Sequence, residues 1–244
     1  NLEIVGEVRG IAPSERIYAT RFLGDVGFMV TFEIIDPLFT FDLSDPTDPQ
    51  LLGELEVPGY SGYIHPVGDD HLLTIGQDAE NMGDFAWFQG LQISVYDVSD
   101  LADPILNDME IIGGRGTGSE ALHDHKAFNY FPPKEILAFP IRIYEGGQGG
   151  PEFGESVFSG FRIYDVDLSQ GYTLRGQVDH DDFYVGDGCH YQWMRRTIFI
   201  GDSILTISNA GMKIHALDDL TDPTASIPFP ECEGYGYPFP FLDG

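Results

Sequence analysis

The feature that most constrains this chain is a turn that it spells four times. Phe41-Asp42-Leu43-Ser44-Asp45-Pro46-Thr47-Asp48-Pro49 recurs as Tyr96-Asp97-Val98-Ser99-Asp100-Leu101-Ala102-Asp103-Pro104. It returns more weakly as Tyr164-Asp165-Val166-Asp167-Leu168 and a last time as Leu217-Asp218-Asp219-Leu220-Thr221-Asp222-Pro223. Aspartate side chains bond their own backbone in turns and proline fixes φ at the next position, so each copy ends one extended run and starts another. The runs between the copies alternate apolar and polar residues with period two, as in Gly27-Phe28-Met29-Val30-Thr31-Phe32, Leu91-Gln92-Ile93-Ser94-Val95-Tyr96 and Arg196-Thr197-Ile198-Phe199-Ile200. No window sustains the i, i+3, i+4, i+7 stripe of a helix, so the chain reads as all-β.

Asp42 to Asp97 is 55 residues, Asp97 to Asp165 is 68 and Asp165 to Ala216 is 51. That period suits one four-stranded blade per repeat, and the expected architecture is a β-propeller of about four blades. The units are approximately 10–57, 61–113, 122–180 and 190–229, with the Asp turn joining the third strand of each to the outer fourth. In the first unit the strands fall at 18–23, 27–32, 38–43 and 50–57, and residues 2–9 read as one additional outer strand. Four blades is the low end for a closed propeller, and an open arc leaves unpaired edges. Closure could come from a four-bladed ring, from pairing of two chains, or from upstream blades in a missing N-terminal segment. The in-frame start at residue 1 favours the last, which makes this chain part of a larger propeller.

Charge narrows the partners. Lys and Arg number 12 against 40 Asp and Glu, a net charge of −28, which excludes a protein that tracks nucleic-acid phosphates. The lysines are Lys126, Lys134 and Lys213 alone, and such a surface suits secretion, a calcium-rich setting or a high-salt habitat. No apolar run approaches the roughly 20 residues of a membrane-crossing helix. The first residues lack the basic start and apolar stretch of a signal peptide, so the chain is expected to begin inside a larger precursor. Cys189 and Cys232 fit no zinc spacing and leave a disulfide or two buried thiols, the disulfide being the reading an oxidising setting favours.

Several strings carry a likeness to a known family. They are Arg16-Ile17-Tyr18-Ala19-Thr20-Arg21-Phe22-Leu23-Gly24-Asp25, Val30-Thr31-Phe32, Asp36-Pro37-Leu38-Phe39 and Asp42-Leu43-Ser44-Asp45-Pro46. Leu52-Gly53-Glu54-Leu55, Pro58-Gly59-Tyr60-Ser61, His65-Pro66, Ser119-Glu120-Ala121-Leu122, Asp124-His125-Lys126-Ala127-Phe128 and Arg195-Arg196-Thr197-Ile198-Phe199-Ile200-Gly201-Asp202 continue it. Together they resemble bacterial and archaeal secreted proteins with a C-terminal β-propeller distantly related to WD repeats. The resemblance implies an extracytoplasmic propeller and supplies no catalytic residues. It also implies a long N-terminal region ahead of this stretch.

For chemistry, the densest polar cluster is His123-Asp124-His125-Lys126, at the entry to the third unit. Arg21, His65 and His190 occupy comparable places in the other units, so a polar ring could face the propeller channel. Imidazoles converging with Asp124 could bind Zn²⁺ or Cu²⁺, Arg21 and Lys126 favour an anion, and all of them could instead brace the blades. A second cluster, Asp179, Asp181, Asp182 and Asp187, is oxygen-rich and suits calcium, although Phe183 and Tyr184 break the pattern of an EF-hand loop. Gly113-Gly114-Arg115-Gly116-Thr117-Gly118 lacks the Gly-Lys-Ser/Thr of a phosphate cradle, and Gly59-Tyr60-Ser61-Gly62 lacks the spacing of a nucleophile elbow. The expected function is a non-enzymatic extracytoplasmic binding or scaffold module, with a protein partner or further blades as its neighbours. The rival is a metal-dependent hydrolase, lyase or oxidoreductase using the channel histidines.

Overall fold

A computed structural model describes residues 3–13, 15–32, 36–82, 86–147, 149–184 and 192–229. These residues form four sheets, each a meander of four antiparallel strands in chain order. The first sheet holds β1 Arg16–Leu23, β2 Val26–Phe32, β3 Asp36–Asp42 and β4 Gln50–Val57. The second holds β5 Tyr60–Val67, β6 His71–Asn81, β7 Ala86–Asp97 and β8 Ile105–Ile112. The third holds β9 Asn129–Phe131, β10 Ile136–Glu145, β11 Glu155–Asp167 and β12 Gly171–Asp179; the fourth holds β13 Met194–Ile200, β14 Ser203–Ser208, β15 Gly211–Ala216 and β16 Ala225–Pro228. This is a propeller with four blades in this chain.

The turn between the first and second strands of a sheet needs a left-handed residue, and Gly24 (φ 56°) and Gly201 (φ 59°) supply it. In the third sheet that conformation falls on Glu135 (φ 54°), which carries a Cβ. The repeated Asp turns fold as their composition predicts. Asp42 Oδ1 accepts from the Ser44 amide at 2.8 Å, Asp97 Oδ1 from Ser99 at 2.9 Å, Asp167 Oδ1 from Ser169 at 2.9 Å and Asp219 Oδ1 from Thr221 at 3.0 Å. The Ser44 amide and hydroxyl at Asp42, and the hydroxyls and amides of Ser99 and Ser169 at Asp97 and Asp167, hold these carboxyls below the usual range, so the turns keep their bonds at neutral pH.

Three apolar clusters fill the three seams between consecutive sheets. Phe28, Val30, Leu38 and Val57 meet Ile64, Leu72, Tyr96 and Val98 in the first seam. Leu73, Ile75, Ile93 and Val95 meet Leu137, Phe139, Tyr164 and Val166 in the second, and Ile136, Ala138, Phe161 and Ile163 meet Met194, Ile204 and Leu217 in the third. Each seam also carries one directional bond from a sheet to the Asp turn of the next. Thr40 Oγ1 donates to Leu101 O, Asn107 Nδ2 to Leu168 O at 2.8 Å and Arg175 Nη1 to Leu217 O at 2.9 Å. Among the described residues no cluster joins the fourth sheet to the first.

Two sequence expectations change here. Residues 3–9 form no strand; Gly6 packs so closely on the carbonyl of Pro46 that a Cβ there would stand 2.4 Å from it. The segment is instead laid over the β3–β4 turn. The third unit starts at residue 129 rather than 122, because residues 120–127 form two short 3₁₀ turns.

Leu73 is fully buried in the second seam, so Leu73→Ala should destabilise the chain by about 2–5 kcal/mol in chemical denaturation. Glu135→Gly should do the opposite, by roughly 1 kcal/mol, through relief of the left-handed backbone.

Candidate functional site

Tyr63 and His65 project from β5 into the seam with the third sheet. The Tyr63 hydroxyl lies 3.2 Å from His65 Nδ1, and the rings of Phe128 and Tyr130 stand 5.6 and 5.8 Å from the imidazole. Burial pushes His65 below its ordinary value and Tyr63 above it. The charge of exposed Arg21, one sheet back, lowers both. His65 is therefore a neutral polar group in an aromatic seam.

The His123–Lys126 stretch is built by two caps. Ser119 Oγ accepts from the Ala121 amide at 3.0 Å and Asp124 Oδ1 from the Lys126 amide at 3.0 Å, each opening a 3₁₀ turn. The other Asp124 oxygen accepts from Arg196 Nη2 at 2.7 Å, across the seam on β13. The bond from Lys126, with Arg196 beside it, holds the Asp124 carboxyl below the usual range. Glu120 spans the same seam, accepting from Arg195 Nη1 at 3.0 Å and Trp193 Nε1 at 2.9 Å. His123, His125 and Lys126 are exposed.

Register corrects the expected channel ring. Arg21 pairs with Phe28 and His65 with Leu73; the third-sheet residue in that place is Asn129, opposite Ala138, and the fourth is Ile198, opposite Leu205. His123 and His125 stand in the loop ahead of β9, because residues 113–128 delay the first strand of that blade. His190 lies outside the described residues. Among the described residues no three His, Cys, Asp or Glu side chains are grouped to hold a metal ion, and this covers His65, Asp124 and His125.

The same holds for Asp179, Asp181 and Asp182. Asp182 Oδ1 lies 2.6 Å and Asp179 Oδ1 4.0 Å from Lys213 Nζ, while Asp181 Oδ1 accepts from Gln192 Nε2 at 2.8 Å. Asp187, Cys189 and Cys232 lie outside the described residues. The acidic loop thus surrounds a lysine that is itself buried on β15.

Behind it sits a polar seam with no counterpart in the sequence reading. His180 is fully buried, with Nδ1 2.8 Å from Ser208 Oγ and Nε2 2.9 Å from Thr206 Oγ1. Phe161 and Phe183 pack on its ring at 5.4 and 5.2 Å. Burial pushes the imidazole down to about 4, and the charge of Lys213 adds to that. His215, 2% exposed, is also held below its ordinary value by burial, and its Nδ1 has no hydrogen-bond partner among the described residues. A cleft of about 530 Å³ opens beside these groups, lined by Arg175, Asp179, Lys213, His215 and Asp219 among others. The available signal was the alternation of Ser203–Ser208 and Gly211–Ala216, which puts Thr206, Ser208, Lys213 and His215 on one face.

The chain belongs to the beta propeller domain family, whose model matches residues 1–220. It is 41% identical over 184 residues to an uncharacterized protein of Archaeoglobus fulgidus, covering 75% of this chain and 26% of that protein. It is 36% identical over 140 residues to an uncharacterized protein of Methanocaldococcus jannaschii, covering 57% of this chain and 21% of the other. The chain therefore spans about a quarter or less of the length of these relatives. Among solved structures, the WD40 domain of SCAP from fission yeast aligns with a TM-score of 0.42 at 10% identity, over 88% of this chain and 45% of that one. A mutant of the Synechocystis apocarotenoid oxygenase aligns with a TM-score of 0.31 at 10% identity, over 84% and 58%.

His180 gives the seam a pH signature. Its folded value of about 4 lies below the 6.5 of an unfolded histidine, so between those limits the unfolded chain binds the extra proton. Stability should be complete above pH 6.5 and fall by about 3 kcal/mol as the pH drops to 4, with His215 adding in the same direction. Urea unfolding at pH 7 and pH 4.5 measures this. His180→Asn should be less stable at pH 7 and show a shallower loss.

Proposed function

We propose that the chain is a non-enzymatic extracytoplasmic propeller that acts as a binding or scaffold module within a larger assembly. The observation that carries this reading is the use made of the polar groups richest in chemical potential. Asp124 is committed to Arg196 and to the Lys126 amide, and Glu120 to Arg195 and Trp193. These bonds lock the third sheet to the fourth, and a carboxylate held low, as that of Asp124 is, makes a poor general acid or base at neutral pH. The extracytoplasmic setting draws on the acidic, lysine-poor composition and on the resemblance of Arg16–Asp25 and the strings after it to secreted propeller proteins.

Three measurements test it. Fractionation of native cells should recover the chain outside the cytoplasm, and thiol titration of that material in denaturant without reductant should find no free thiol at Cys189 or Cys232; a purely cytoplasmic pool with two free thiols overturns the setting. Against the rival enzyme, Asp124→Asn should lower stability by about 1 kcal/mol or less, as expected for a partly exposed pair.

A further inference from the structure

The four sheets share one backbone bond that sets them in a common register. Leu43, Val98, Val166 and Leu217 donate their amides to the carbonyls of Asp25, Asp70, Glu135 and Asp202, all at 2.7–2.8 Å. Counted from that carbonyl, the third and fifth residues of the second strand face the following sheet. In the first sheet they are Phe28 and Val30, each 2% exposed, and in the second Leu73 and Ile75, each 0%. In the fourth they are Leu205 and Ile207, and both are only half-buried.

The sequences repeat as closely as the geometry. His71-Leu72-Leu73-Thr74-Ile75 on β6 corresponds to Ser203-Ile204-Leu205-Thr206-Ile207 on β14. Leu72 and Thr74 are buried against the first sheet, and Ile204 and Thr206 against the third. The preceding sides of the two blades are thus equally sealed, and only the following side of the fourth is open. Its ladder partners extend the apolar surface over all four strands. Met212 and Ile214 pair with Ile207 and Leu205, and Ile198 and Ile227, 43% and 44% exposed, complete it.

Three candidates could cover that face. The first sheet of the same chain is joined to that face by no apolar cluster among the described residues, and part of its preceding side is overlaid by Gly6 on the Pro46 turn and by a bond from Thr31 Oγ1 to Glu15 Oε2 at 2.5 Å, with Ile17 and Phe22 left exposed. A second copy would bring together two chains each of net charge −28. A further blade meets neither objection, matches the three seams already formed, and fits the greater length of the archaeal relatives.

We propose that the open face of the fourth sheet, Ile198, Leu205, Ile207, Met212, Ile214 and Ile227, docks the preceding side of a further four-stranded blade of the same repeat on a longer polypeptide. This rests on the reading of the chain as part of a larger assembly and names the surface that joins it. The test compares the 244-residue chain, its Ile207→Glu/Met212→Glu variant, and the chain with a copy of residues 60–112 appended after Gly244. That copy offers a preceding side in Ile64, Leu72 and Tyr96. Each is read by anilinonaphthalene sulfonate fluorescence and by size-exclusion chromatography with light scattering. The natural chain should bind the dye and associate without fixed stoichiometry. The double variant should lose about five-fold of the dye signal at unchanged melting temperature, as for substitutions on an open apolar patch. The appended chain should be monomeric and lose the signal as well. A dye-silent monomer whose double variant melts far lower would show the face covered within the chain, and a discrete dimer would show a second copy there. An appended blade that leaves the dye signal intact would also overturn the proposal. None of these outcomes bears on where the protein resides or on its thiols, so failure here is distinct from failure of the functional reading.

Discussion

Leu72 and Leu73 sit side by side on β6, point to opposite faces, and are both 0% exposed. A strand buried on both faces needs a neighbouring sheet on each side, and that requirement organises the molecule. It explains why the interior sheets read as near-continuous apolar runs, why their Asp turns are short and self-bonded, and why three separate clusters replace one central core. With apolar burial contributing about 25 cal/mol per Å², the seams outweigh the side-chain bonds that cross them. Those bonds set register; the apolar faces hold the sheets together.

The third seam departs from this pattern, because polar groups fill part of it. A fully buried imidazole between two hydroxyls, a buried lysine facing Asp182 and a half-satisfied His215 make it the seam most sensitive to protonation. Low pH charges groups that the fold needs neutral. The second seam, mostly Leu, Ile, Val, Phe and Tyr, carries fewer such groups: half-buried His65, and Glu110, which accepts from the Tyr164 hydroxyl at 3.0 Å and whose carboxyl burial pushes up.

The fold was legible because two periods coincide in the sequence. Alternation marked the strands, and the Asp turns marked the blades; Tyr96-Asp97-Val98-Ser99-Asp100 alone placed the β7–β8 turn correctly. The site was less legible, for a physical reason. Alternation reveals that Thr206 and Lys213 share a face, but only the neighbouring sheet decides that this face is buried. The histidines of the 123–126 stretch were aligned with His65 by their order along the chain, whereas register, displaced by the loop before β9, gives that place to Asn129. Residues 3–9 alternate like a strand, yet the segment pairs with neither edge of the first sheet and packs Gly6 on the Pro46 turn instead.

Amide hydrogen exchange followed by mass spectrometry tests the central claim, that stability is distributed through seams shared by consecutive sheets. The account predicts the slowest exchange in β6, β7, β10 and β11, which belong to sheets with a seam on both sides, and faster exchange in β14 and β15, which have one. Equal protection across all four sheets, or slowest exchange in the fourth, would contradict it.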